Sequence, residues 1–183
     1  MADVNLRTPQ NTHFLQPTKY LLTFDRLGDI QYFCQQVNVP GVNLGQAQIS
    51  FPGQDVFSPG NKMTWNPLAI RFLVNEDLSS WRGLYNWFKA IASPEGTEER
   101  KRLTDLQNNY KTFTPRSDRL QNYSDATLTI LSALNNPIMR IKFTNVFPIT
   151  LNDLGLDTTQ SADDIITADA TFVFDYYEFE DLT

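Results

Sequence analysis

The chain has 183 residues, enough for one domain with loops to spare, and 41% are hydrophobic with 13 Phe, 7 Tyr and 3 Trp, so a core can form without cross-links. A net charge of −6 excludes nucleic-acid binding through the whole surface, and one cysteine, Cys34, excludes an intrachain disulfide and fits a reducing compartment. No apolar run is long enough to span a bilayer, and the polar start lacks the apolar stretch of a signal peptide, which predicts a chain made in the cytoplasm with no membrane partner.

Residues 1–16 are polar and carry Pro9, the pattern of an extended arm. Lys19 to Arg26 alternates, with Tyr20, Leu22 and Phe24 on one face, and Ile30 to Val39 follows a Leu-Gly-Asp turn, so the two are expected to form a hairpin. Residues 41–63, rich in glycine and proline, read as a long loop or projecting hairpin, too long for an idle connection. Its marker residues are Gly45, Gln46, Phe51, Gly53, Phe57 and Asn61. Thr64 to Val74 is a predicted strand with Leu68, Ile70, Phe72 and Val74 on one side.

Leu78 to Ala92 is the clearest element. Leu78, Trp81, Leu84, Tyr85, Phe88 and Ile91 recur at helical spacing, with Asn75 or Asp77 able to cap the start and Ser93-Pro94 able to stop it. Trp81, Leu84, Tyr85 and Phe88 are the expected core side of this helix. Trp87 lies about 120° off that stripe and reads either as an interface residue or as a side chain folded back on the polar segment that follows.

Residues 94–121 form a polar, charged stretch with a possible short helix from Thr97 to Asn108. Ala126 to Ala133 and Met139 to Val146 are two more strands, the second ended by Phe147-Pro148. Thr167 to Phe179 is the last strand. Phe172, Phe174 and Tyr176 are its stronger apolar set, which puts Asp169, Thr171 and Asp175 on the solvent side. Seven strand-like segments and one inserted helix predict a mainly β domain over residues 1–183: two antiparallel sheets in a sandwich or open barrel, with the helix packed against it.

Catalysis finds no support. His13 is the only histidine and lies in the arm, so no Ser-His-Asp or Cys-His set can be built, and no glycine-rich phosphate loop precedes the helix. Cys34 reads as a small buried hydrophobe. Asn152, Asp153, Asp157, Asp163 and Asp164 lack the spacing of a calcium loop and read as a solvated turn. The run Arg100-Lys101-Arg102 follows Glu98-Glu99 and reads as a salt-bridged helix face. No catalytic residue, metal site or cofactor is expected. Strands with open edges and a polar, lysine-poor outer face risk edge-to-edge pairing, and ordered self-assembly is one use of that liability.

Several pieces, in order along the chain, resemble the tail tube proteins of contractile-tailed bacteriophages. Phe33-Cys34, then Val39-Pro40-Gly41, a projecting loop and Thr64-Trp65 match the first half, and Phe72 to Asp77 with Arg82, Tyr85 and Phe88 matches the family's strand into helix. Phe143 to Leu156 is similar to its Phe/Leu-x-x-x-x-Pro turn and leucine-x-leucine-aspartate loop, and Ala170 to Phe179 to its closing strand. The segments 1–16 and 94–121 are longer than the pattern. The resemblance implies a virion protein with the fold of the type VI secretion tube protein. It implies hexameric rings that share a 24-stranded barrel, stack into a hollow tube inside a sheath, and pass the genome without binding it. The implied partners are other copies of the chain, the sheath protein, and baseplate and terminator proteins. Residues 41–63 then become a candidate inter-ring contact, and Asp169, Thr171 and Asp175 a candidate lumen face. A tube-initiating baseplate protein of the same fold is one alternative. A monomeric β-sandwich that binds carbohydrate or protein through Trp65, Trp81 and Trp87 is another.

Overall fold

The computed structural model describes residues 14–27, 30, 33–92, 122–159, 161 and 164–182. Residues 1–13 of the expected arm 1–16 and the whole polar stretch 94–121, with its expected helix, lie outside these residues. The described strands are β1 (Tyr20–Phe24), β2 (Cys34–Val37), β3 (Val42–Phe51), β4 (Gln54–Trp65), β5 (Leu68–Leu73), β6 (Ser124–Leu131), β7 (Pro137–Leu151), β8 (Thr167–Val173) and β9 (Tyr176–Asp181). Among the described residues one long helix, α1, spans Ser79–Ala92 between β5 and β6. The fold is mainly β, as the alternation predicts.

Two antiparallel sheets share one long strand. The first runs β1-β6-β7-β9, and the second runs β7-β8-β5-β2. β7 gives its first half to one sheet and its second half to the other. The handover is a one-residue change of phase. Ile141 and Phe143 point inward from odd positions, while Val146 and Pro148 point inward from even ones. Between them Asn145 sits in the left-handed region with φ 57°, where asparagine is among the few residues tolerated. The chain opposite breaks at the same level. β8 turns Phe172 and then Phe174 inward, Asp175 interrupts the ladder, and β9 turns Tyr177 inward. The two breaks are tied together. The Asp175 amide donates to the Thr144 carbonyl at 3.0 Å, the Asn145 side chain donates to the Asp175 carboxylate, and the Asn145 amide donates to Asp125 at 3.1 Å.

This arrangement changes four expectations. The last segment is two strands, so Tyr176 is 42% exposed and Tyr177 joins Phe143 and Phe174 in the core instead. β7 runs through Phe147-Pro148, because Pro148 sits beside a bulge where the ladder already skips a residue. β2 does not form a hairpin with β1. Ile30 and Phe33 are helical, and Cys34–Val37 pairs with β5. The strand expected from Thr64 to Val74 divides at Asn66-Pro67, where Asn38 holds the turn by donating to the Pro67 carbonyl and accepting from the Ala69 amide at 2.6 Å.

Between the sheets lie Leu22, Phe24, Leu128, Ile141 and Phe143 from one side and Leu68, Ile70, Phe72, Ala170 and Phe172 from the other. Helix α1 closes the open flank. It begins after a turn in which Leu78 adopts φ 58° and the Asp77 carboxylate accepts from the Ser79 amide at 3.0 Å. That hydrogen bond, made to the charged form, holds the Asp77 carboxyl below its ordinary pKa. The buried stripe of α1 is Ser80, Leu84, Trp87 and Ala90. It is rotated from the expected one. Leu84 is fully buried, Trp81 and Phe88 flank the stripe half-buried, and Tyr85 is exposed and stacked on Trp81. Trp87, an interface candidate from the sequence, is only 3% exposed. Its ring packs on Phe172, the Arg26 guanidinium lies 5.7 Å above it, and its Nε1 donates to the Asn122 carbonyl at 3.1 Å. The ring is thus part of the core, and the polar segment 94–121 on which it was expected to fold back lies outside the described residues.

Two outcomes follow for stability. Trp87→Ala should cost about 3–5 kcal/mol in urea unfolding, by removing a buried ring and leaving a cavity, whereas Tyr85→Ala should stay within about 0.5 kcal/mol. Asp25 donates its amide to the Asp125 carbonyl, and burial, aided by the Asp125 charge, raises its carboxyl pKa. A raised carboxyl pKa means the folded state disfavours the charged form, so the cost is present above the folded pKa and vanishes below the unfolded one. Asp25→Asn should therefore stabilise the protein at neutral pH, and the gain should fade as unfolding is repeated below about pH 4.

Candidate assembly surfaces

Strands β3 and β4 stand apart from the core as a two-stranded sheet. Every residue of β3 is exposed, as is every residue of β4 except Gly60 and Trp65. The base is anchored. Val42 pairs with Trp65, which packs on the core, and the Asn66 amide donates to the Gly41 carbonyl at 2.9 Å. Beyond the base the ladder shifts between Leu44 and Gln46, and two extra residues accumulate on β4. There the backbones cross closely. A Cβ on Gly60 would lie 2.6 Å from the Gly45 carbonyl oxygen, so only glycine fits.

Outside this joint the hairpin is two-faced. Cross-strand partners share a face, so Ala47, Ile49, Phe51 and Val56 lie on one side. Gln46, Gln48, Ser50 and Asp55 lie on the other with Phe57 and Pro59, and Gln48 donates to Asp55 at 2.6 Å. Leu44, Phe51, Phe57 and Met63 are each more than half exposed. Of the residues singled out from the sequence, Gly45 lies in the joint, Gln46 starts the outer ladder, Phe51 and Gly53 flank the tip, and Phe57 lies on the polar side. Asn61 falls in the extra turn of β4. Among the described residues these apolar side chains form an exposed patch on the ribbon.

Among the described residues, both sheets also end in strands that pair on one side only: β1 and β9 in the first, β2 and the second half of β7 in the second. Their outward faces differ in charge. The first carries Arg140 and Lys142 beside Glu178 and Glu180, with Lys142 reaching Glu180 at 3.0 Å. The second carries Ala69, Thr150, Thr167 and Thr171 together with the larger Leu73, Val173 and Phe147, around one ion pair. In that pair Arg71 donates to both oxygens of Asp169, at 2.7 and 3.2 Å, which holds the Asp169 carboxyl below its usual range and the guanidinium above its own. Asp169 and Thr171 thus share the solvent face of β8, with the Asp169 charge compensated, while Asp175 lies in the break between β8 and β9. Pairing with Arg71 was not signalled by sequence spacing; it follows from the β5–β8 register.

Among the described residues no group of three or more His, Cys, Asp or Glu side chains could hold a metal. Cys34 sits at the edge strand β2, its thiol donating to the Gln36 carbonyl, and burial pushes its pKa up to about 11. It behaves as the inert small hydrophobe the sequence suggests.

A family model described as phage tail tube protein matches residues 3–180. The tail tube terminator protein of Enterobacteria phage T4 is 26% identical over 159 residues, covering 80% of this chain and 76% of that protein. A chain in the tube-terminating cap of the anti-feeding prophage superposes with a TM-score of 0.54 at 12% identity, covering 98% and 99% of the two chains. A chain in the extended sheath–tube complex of an extracellular contractile injection system gives 0.53 at 15% identity, covering 93% and 94%. At such identities the structural likenesses establish a shared fold.

Proposed function

The chain belongs to the phage tail tube protein family, a structural family of phage tails and not one of enzymes, and on that premise we propose that its copies close into hexameric rings of a contractile tail. The number six is what the family resemblance implies. The observation that supports assembly is the hairpin, whose apolar face is covered by none of the described residues. The ten residues of β3 reach roughly 30 Å, far enough to lie on a neighbouring ring. The open edges of both sheets offer unpaired backbone groups to a copy alongside. The second sheet, whose outward ion pair is compensated and leaves no free cation for phosphate, suits a channel wall past which DNA moves without sticking.

The position we propose within the tail is the end of the tube. The T4 relative is described as a tail tube terminator, and a terminal ring would meet a tube ring on one side and carry no further ring on the other. The sheath and the tube would be its partners, and the virion tail its place.

Sedimentation and negative-stain microscopy of the purified protein test both statements. Rings or ring pairs that do not elongate are expected. A monomer at every concentration overturns assembly, while long tubes overturn the terminal position and assign the chain to the repeating tube. In addition, replacing residues 46–59 by a two-residue turn should abolish assembly and leave the thermal midpoint within about 2 °C of the parent, since no core residue is lost.

A further inference from the structure

The hairpin is tied to the body unevenly. Both of its ends run into the second sheet, one from β2 through Asn38 to Gly41, the other through Asn66-Pro67 into β5. The polar bonds of this root stay on the same side. The Asn38 amide donates to the Ala69 carbonyl at 3.2 Å, and its side chain bonds both Ala69 and Pro67. The Asn66 amide donates to the Gly41 carbonyl, and the Asn43 side chain donates to that of Asn66 at 3.0 Å. Two chain crossings into one sheet define an axis, and a ribbon held only there is free to rock about it.

A further tie runs to the other sheet. Tyr177, on β9 of the first sheet, donates its hydroxyl to the Pro40 carbonyl at 3.2 Å. We propose that the Tyr177 hydroxyl is the positioning group that sets the angle at which the hairpin leaves the body.

Both ends of this strut are stiff. The Pro40 ring is fully buried and its φ is fixed by covalent geometry, so the carbonyl it presents is held in place. The Tyr177 ring meets Phe143, Phe174 and Phe179 at centroid distances of 5.7, 5.9 and 5.4 Å. All three neighbours are phenylalanine, so packing at this point does not call for a hydroxyl. Trp65 also packs on the core, but an apolar contact has no preferred direction and lets the ring slide. A hydrogen bond is directional and does not. Tyr177 faces Pro40 because the chain changes phase at Asp175; with unbroken alternation Tyr176 would point inward in its place. The angle of the hairpin is thus inherited from the fold line. Its use, which is to bring the apolar face onto a neighbouring copy, rests on the ring reading above. The angle itself does not.

Tyr177→Phe in the full chain keeps the ring and removes the donor. Its thermal midpoint should stay within about 5 °C of the parent. Spin labels on Met63→Cys and Leu134→Cys then report the angle in single copies. Met63 lies in the base ladder, inside the Gly45–Gly60 crossing, so bending of the outer ribbon does not enter, and Leu134 marks the first sheet. The inert Cys34 stays in place. Loss of the hydroxyl should broaden this distance distribution at least about twofold. A control pair inside the body, Leu134→Cys with Thr150→Cys, should not change. Ring formation should then need at least about fivefold more protein, since a less preorganised surface binds more weakly. An unchanged Met63–Leu134 distribution overturns the proposal. So does broadening of both pairs, or loss of the fold, because the hydroxyl would then serve the body as a whole. A broadened angle with ring formation unaltered overturns its use in assembly alone. A parent chain that never assembles overturns the ring reading, and the label distances still decide the angle.

Discussion

The constraint on which the rest depends is the paired change of phase in β7 and in the β8–β9 segment. A strand alternates its side chains strictly, so a single extra residue exchanges its inner and outer faces. Here both neighbouring strands make that exchange at the same level, and their backbones stay bonded through it. The result is one sandwich made from two differently oriented sheets, with Phe143, Phe174 and Tyr177 meeting at the fold line. If only one strand had shifted, the ladder between them would have lost its register and the aromatic cluster its geometry. The seat for α1 follows from the same bend, since Phe172, just ahead of it, is the ring on which Trp87 packs.

That change of phase also explains what the sequence did not disclose. Alternation alone carries Phe172 and Phe174 on to Tyr176, and nothing local in Asp175-Tyr176-Tyr177 announces the slip. The signal is in the partner strand, at Asn145, more than two dozen residues upstream. Pro148 misleads for a similar reason: a proline stops a regular strand but fits one that is already bulged. The helix was legible in its length and ends, but its buried stripe was not. Apolar residues cover most of its circumference, so the choice between Trp81-Tyr85 and Trp87 is made by Arg26, Asn122 and Phe172, all distant in sequence. The candidate contact hairpin was the opposite case. Its glycines, prolines and length marked it as a long loop or projecting hairpin without knowledge of the fold, whereas the Arg71–Asp169 pair depended on a register no spacing rule gives.

Body and hairpin thus draw their stability from different sources. The body buries its aromatic residues against one another and needs nothing external. The hairpin presents Ile49, Phe51 and Val56 to solvent and gains only when something covers them. A hydrophobic content of 41% therefore overstates the core, since part of it lies exposed on the hairpin. Charge follows the same division. On the sheet faces, ion pairs such as Arg71–Asp169 and Lys142–Glu180 cancel locally, so the proposed assembly would rely on shape and apolar area instead of strong electrostatic attraction.

Cys34 has a practical consequence. With its pKa near 11, only about one thiol in ten thousand is ionised at neutral pH, and the thiolate is the form that oxidants and alkylating agents attack. The chain is chemically quiet outside a reducing environment, although it contains a thiol. The same quietness makes it a clean background for bioconjugation. A cysteine introduced at Leu134, on the exposed turn between β6 and β7, would be the dominant reactive sulfur, so a fluorophore or gold cluster could be attached there without first removing Cys34.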